Sequence, residues 1–60
     1  MKVNLKLVRL ARRLSQEEIA SLAGISISTF RKIEKNPYEA KFSDLIKVCN
    51  ILKIDIRKFI

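Results

Sequence analysis

The sequence predicts an all-α fold, a compact bundle of about five short helices. Two observations carry that expectation. Apolar residues recur at spacings of three and four along most of the chain, the period of a half-buried helix. Helix start and stop signals also follow one another closely, at Ser15-Gln-Glu-Glu18, Gly24, Ser26 and Asn36-Pro37, which leaves room only for short elements.

The first helix is expected over roughly Val3 to Arg13. Leu5 and Val8 share one face, with Leu7 or Ala11 at its edge, while Lys2, Lys6, Arg9, Arg12 and Arg13 mostly occupy the rest. Ser15 and Glu18 then form a capping box, in which each side chain serves the other's backbone N–H. Leu14 and Ile19 flank it as a hydrophobic staple, and Glu17 and Glu18 place negative charge at the positive end of the helix dipole. A second helix follows from Gln16 to Ala23, burying Ile19, Ala20, Leu22 and Ala23. Gly24 stops it, because glycine takes φ > 0 without penalty.

Ala23-Gly-Ile-Ser-Ile-Ser-Thr-Phe30 alternates like a strand, yet it reads as a capped turn. Ser26 is a good N-cap, with Ile25 and Phe30 at staple positions. The third helix runs from about Ile27 to Lys35, with Phe30 and Ile33 inward and Ser28, Arg31 and Lys32 outward. Asn36-Pro37 ends it, Asn36 tolerating a left-handed C′ conformation and Pro37 being unable to continue. After a loop over Pro37 to Lys41, the recurrence of Phe42, Leu45, Val48, Cys49 and Leu52 marks a fourth helix. Asp55 is placed to cap a last turn with Ile54 and Phe59 as its staple, although Ile54-Asp-Ile56-Arg also alternates like a strand.

Sixty residues form one domain, spanning 1–60. With 48% hydrophobic residues the chain folds rather than staying disordered. No apolar run approaches the ~20 residues of a transmembrane helix, and the start lacks the uncharged core of a secretory signal. Cys49 is the sole cysteine and there is no histidine, so neither an internal disulfide nor a zinc site is expected, and a cytoplasmic location fits best. Cys49 reads as a core residue. No catalytic constellation, cofactor site, metal site or small-molecule site is evident, and the protein is not expected to be an enzyme. The net charge of +7 favours a polyanionic partner, nucleic acid before an anionic membrane surface. Short capped helices around a glycine turn do not describe a membrane-surface peptide.

Two short helices joined around Gly24 describe a helix-turn-helix. The run Gln16-Glu-Glu-Ile-Ala20-Ser-Leu-Ala-Gly24-Ile-Ser-Ile-Ser-Thr-Phe30-Arg-Lys-Ile33-Glu34 resembles the Cro/C1-type (XRE-like) family of phage and bacterial repressors. Ala20 is small where the two helices meet, and Ile19, Ile25, Phe30 and Ile33 form the wedge. The resemblance extends from about Leu5 to Ile54 and includes the family's Leu-Ser-Gln-Glu-Glu opening at Leu14 to Glu18. Asn36 and Lys53 stand where glycine is frequent, and Ala40 where proline is. The resemblance implies a lambda-repressor-like fold with the helix-turn-helix in helices two and three. It also implies a structural ion pair between Arg9 and Glu34.

By the same resemblance, the third helix enters the major groove of double-stranded DNA and offers Ile27, Ser28, Arg31 and Lys32 to the bases. Arg31 or Lys32 suits guanine, and either equally suits a phosphate. Ile27 is expected at the exposed start of that helix, where it meets a thymine methyl, with an inward lean as the alternative. Ser15, Gln16, Lys35, Asn36 and Lys41 are expected at phosphates, and Arg12-Arg13 to add long-range attraction. A solvated surface charge is the alternative for each basic residue. Tyr38 suits either a sugar-phosphate strand or packing on its neighbours. The function implied is a small transcriptional regulator, a repressor, acting as a homodimer on a palindromic operator. The apolar tail residues Ile51, Ile54, Ile56, Phe59 and Ile60 are expected to supply part of the dimer contact. The alternative is the same fold used as a protein-interaction module or antitoxin.

Overall fold

Four α-helices, α1 (Leu5–Ala11), α2 (Gln16–Ala23), α3 (Ile27–Lys35) and α4 (Phe42–Leu52), follow one another with single 3-10 turns at Pro37–Glu39 and Ile56–Phe59. They belong to a computed structural model that describes residues 3–60. Lys2, expected on the polar side of α1, lies outside the described residues. The fold is all-helical, and no strand occurs among the described residues. The fifth helix expected from the sequence is the 3-10 turn Ile56–Phe59. It forms instead of a strand because Asp55 Oδ1 accepts the Arg57 N–H at 2.9 Å and so closes the chain into a turn.

The bounds of α2, α3 and α4 follow their local signals. α1 is shorter than its apolar period suggests. Asn4 starts it by accepting the Leu7 N–H at 3.1 Å, and it ends before Arg12 and Arg13, where Arg13 adopts a left-handed φ of 58°. The expected left-handed residue after α3 is absent. Asn36 has φ −147°, and its N–H donates to the Lys32 carbonyl, which hands the chain to Pro37.

One apolar core joins the elements. α2 packs against both α3 and α4, and Ile19, Phe30, Val48 and Leu52 are wholly shielded from water, with Leu5, Ile33, Leu45 and Cys49 nearly so. Burial pushes the Cys49 thiol pKa up, which keeps it protonated and unreactive. Three sequence expectations of burial are corrected. Leu22 is 61% exposed, because it lies off the Ile19–Ala20–Ala23 stripe by about a quarter turn. Leu7 and Ala11 also face solvent, and Phe42, on the first turn of α4, is 52% exposed.

The tail folds back on the same core. Phe59 is only 9% exposed and meets the Tyr38 ring edge-on, with centroids 5.6 Å apart. Ile51, Ile54 and Ile56 are half-buried against the core, whereas Ile60 is free at the surface. Much of the apolar tail surface that the sequence suggested for self-association is therefore consumed within the chain, Phe59 above all.

Candidate nucleic-acid interface

α2 is built at both ends by its own sequence. The Glu18 N–H donates to Ser15 Oγ at 3.0 Å and the Ser15 N–H donates to Glu18 Oε1 at 2.9 Å. Donation from the Ser15 backbone N–H first, and from its side chain second, lowers the Glu18 carboxyl pKa. At the other end Gly24 takes φ 71°, and the Ile25 and Gly24 N–H groups reach back to the Ala20 and Ser21 carbonyls. That is the paired closure of a Schellman motif. Ile25, the residue beyond the glycine, packs on the core and fixes the angle at which the chain leaves α2. Ser26 then opens α3, its Oγ accepting the Thr29 N–H at 3.1 Å and donating to Thr29 Oγ1 at 2.9 Å.

α3 turns Phe30 and Ile33 into the core and leaves Ser28, Arg31, Lys32 and Lys35 exposed. Ile27 is not simply exposed. It is half-buried and packed against the core, since a quarter turn from the core direction still lets a branched side chain lean inward. Its outer edge stays beside the exposed face.

A polar network locks α3 to the rest. Arg9 Nε donates to Glu34 Oε2 at 2.7 Å, with both side chains only 9% exposed. Arg9 Nη2 reaches Glu34 Oε1 at 3.5 Å, and Nη1 donates to the Leu14 carbonyl at 2.9 Å. The apolar period of α1 put Arg9 among its mostly outward residues, whereas the resemblance paired it with Glu34; it is buried, with Glu34 meeting its charge there. One arginine so ties α1 to α3 and pins the turn that carries Ser15. Gln16 extends the network, its Nε2 donating to Glu34 Oε1 at 2.9 Å and its Oε1 accepting from Arg31 Nε at 3.2 Å. No buried side-chain nitrogen or oxygen among the described residues lacks a partner.

The remaining candidates fall into two groups. Lys32, Lys35, Asn36 and Lys41 line one open cleft of about 540 Å³ between α3 and the start of α4, with Thr29, Glu39 and Asp44. Thr29, Glu39 and Asp44 are cleft residues that the sequence did not single out; for Thr29, its position one turn before Lys32 and Ile33 was the available signal. Ser15 and Gln16 sit at the start of α2. There the Ser15 N–H is taken by Glu18 and the Gln16 side chain by Glu34 and Arg31, which leaves the Gln16 backbone N–H for a ligand. Arg12 and Arg13 are exposed beyond α1. Tyr38 packs on Phe59 rather than standing alone.

No described helix is long and apolar enough to cross a membrane. The chain has no significant match among curated proteins or among solved structures. A helix-turn-helix family model matches residues 5–59, which takes in all four helices and the Ile56–Phe59 turn. The wedge of α2 and α3, its glycine closure and that match together place the chain in the Cro/C1-type helix-turn-helix family of DNA-binding domains.

Proposed function

We propose that the protein is a sequence-specific regulator of transcription, a small repressor whose α3 lies in the major groove of a palindromic operator. The observation that carries this is the exposed face of α3. It presents Ser28, Arg31, Lys32 and Lys35 to solvent while Phe30, Ile33 and Glu34 hold the same helix to the core and to Arg9. A basic surface on a rigid mount suits a fixed polyanion. Ile27, Ser28, Arg31 and Lys32 are the base-facing residues. Ile27 offers a thymine methyl only its outer edge. Lys35, Asn36 and Lys41 take phosphates along the cleft, and Ser15 and Gln16 take one at the start of α2, where the dipole favours an anion.

The Cα atoms of the fold extend 25 Å along its longest axis. Successive major-groove faces lie about 34 Å apart, so two copies fit side by side as a homodimer. Ile60, with the outer edges of Ile51, Ile54 and Ile56, supplies the apolar contact left for that pairing.

Selection from a random duplex pool, followed by salt titration of the selected and random duplexes, tests the proposal. Affinity should fall with salt by about 0.9 log units per log unit for each phosphate neutralised. A selected palindrome should win over random duplex by roughly 10³-fold or more. Binding indifferent to DNA sequence at every salt concentration would sink the regulator reading and favour the interaction-module alternative.

A further inference from the structure

Sequence alone leaves Arg31 and Lys32 interchangeable as readers of a base. They occupy different surroundings. Lys32 opens into the cleft shared with Lys35, Asn36 and Lys41, among the residues assigned to phosphates. Arg31 lies on the α2 side of the helix, where its Nε donates to Gln16 Oε1 at 3.2 Å. Gln16 is itself held by Glu34 through its Nε2 at 2.9 Å, and Glu34 by Arg9 at 2.7 Å with both charges buried.

The chemistry fixes which way the carboxamide points. Glu34 accepts only and arginine donates only, so the Gln16 nitrogen must face Glu34 and its oxygen must face Arg31. Arg31 is thereby held at one edge of its guanidinium. Its terminal Nη1 and Nη2 groups have no partner among the described residues and remain as a flat fork. An exposed arginine gives up much side-chain freedom when it docks; this one has part of that freedom removed in advance.

We propose that Gln16 is a positioning residue for base readout, holding Arg31 so that its terminal fork meets O6 and N7 of a single guanine in the major groove. This rests on the proposed sequence-specific DNA binding and narrows it. Of the two basic residues that could read a guanine, Arg31 is the one held in place to do so, and the specificity of α3 depends on a residue of α2. A lone exposed hydrogen bond would position little, but this one ends a chain anchored on a buried ion pair.

The test measures equilibrium binding of the wild type, R31A, Q16A and the Q16A/R31A double variant. The duplexes are the selected one and versions with each base pair changed in turn, all at one salt concentration. For the wild type, one G·C pair should cost roughly 5- to 100-fold when replaced, the discrimination of a bidentate arginine–guanine contact. R31A should erase that discrimination. Q16A should reduce it by roughly 3- to 10-fold, on the scale of one hydrogen bond, while leaving the ratios at other positions as they were. The double variant should discriminate no worse than R31A alone.

Q16A weakening every duplex by one common factor would identify a backbone contact or a purely structural role and overturn the inference. Full retention of the guanine preference in Q16A would overturn it as well. Both results leave sequence-specific binding standing, whereas a wild type with no preferred duplex removes both ideas together. Should Q16A melt below the assay temperature, Q16M keeps the side-chain length and helix propensity without either hydrogen bond, and carries the same test.

Discussion

α3 and α4 rest on one apolar core, but the half of the molecule that presents α3 adds directed polar restraints that α4 lacks. Around α2 and α3, position is set by directed polar bonds: the Ser15–Glu18 box, the Ser26 cap, and the Arg9–Glu34–Gln16–Arg31 chain. α4 begins at Lys41 with no side-chain cap at all. It is kept in place by Leu45, Val48, Cys49 and Leu52, every one of them buried. Apolar burial is large but tolerant of small shifts, whereas hydrogen bonds fix direction. A helix that must present side chains at set angles gains from the second kind of restraint, and one that only closes the core does not.

The sharpest way to break that contrast is to remove one end of the buried ion pair. Arg9→Ala leaves the Glu34 carboxylate in a nearly closed site, and Glu34→Ala does the same to Arg9. Each should cost about 3–5 kcal/mol, because the partner's desolvation is no longer offset, a large part of what so small a domain has. Urea unfolding followed by circular dichroism checks it. Replacing both together, Arg9→Met with Glu34→Leu, should cost far less. A single variant as stable as the wild type would show that the polar restraint on α3 is dispensable.

Next in size is the apolar side. Phe59→Ala should cost about 3 kcal/mol, near the lower end for a buried phenylalanine since its site lies at the edge of the core. Removal of Ile60, which is 83% exposed, should change stability by under about 0.5 kcal/mol. Thermal melting of the two variants separates them. Equal losses would mean that the tail acts as one unit and that Ile60 also packs.

The sequence revealed the polar half more fully than the apolar half. Caps such as Ser15, Ser26 and Gly24 act within a few residues of themselves, so α2 and α3 are readable from short windows. Exposure is a property of the assembled core. The quarter turn that separates Leu22 from the Ile19–Ala20–Ala23 stripe decides exposure only once neighbours cover that stripe, and nothing local distinguishes Phe42 at the open first turn of α4 from Leu45 beneath it. The Gln16–Arg31 bond joins residues on two helices and exists only once both are docked. Phe59 was assigned to a partner surface because the tail's apolar content was visible and its fold-back onto Tyr38 was not.

The least visible feature is how the helices end, and it supports the smallest of the expected effects. α1, α2 and α4 all close in the same way. Leu14, Ile25 and Ile54 donate their N–H groups to the carbonyls of Arg9, Ala20 and Cys49, five residues earlier in each case. The residue before each donor is left-handed, Arg13 at φ 58°, Gly24 at 71° and Lys53 at 60°. Only one of the three is glycine, so only one was legible by residue type. The shared signal is the apolar residue that follows, since Leu14, Ile25 and Ile54 all pack on the core. Left-handed backbone costs a non-glycine residue roughly 1 kcal/mol, and packing of that next residue offsets it. Lys53→Gly relieves the strain but gives the unfolded chain more freedom, so the net gain should be no more than about 0.5 kcal/mol. Gly24→Ala reverses the exchange. A Cβ at Gly24 would meet nothing within 4 Å, so its loss should be backbone strain alone, about 1 kcal/mol. Measured as paired shifts in unfolding midpoint, opposite signs are expected. A stabilising Gly24→Ala would show that the turn between α2 and α3 does not need the left-handed residue it uses.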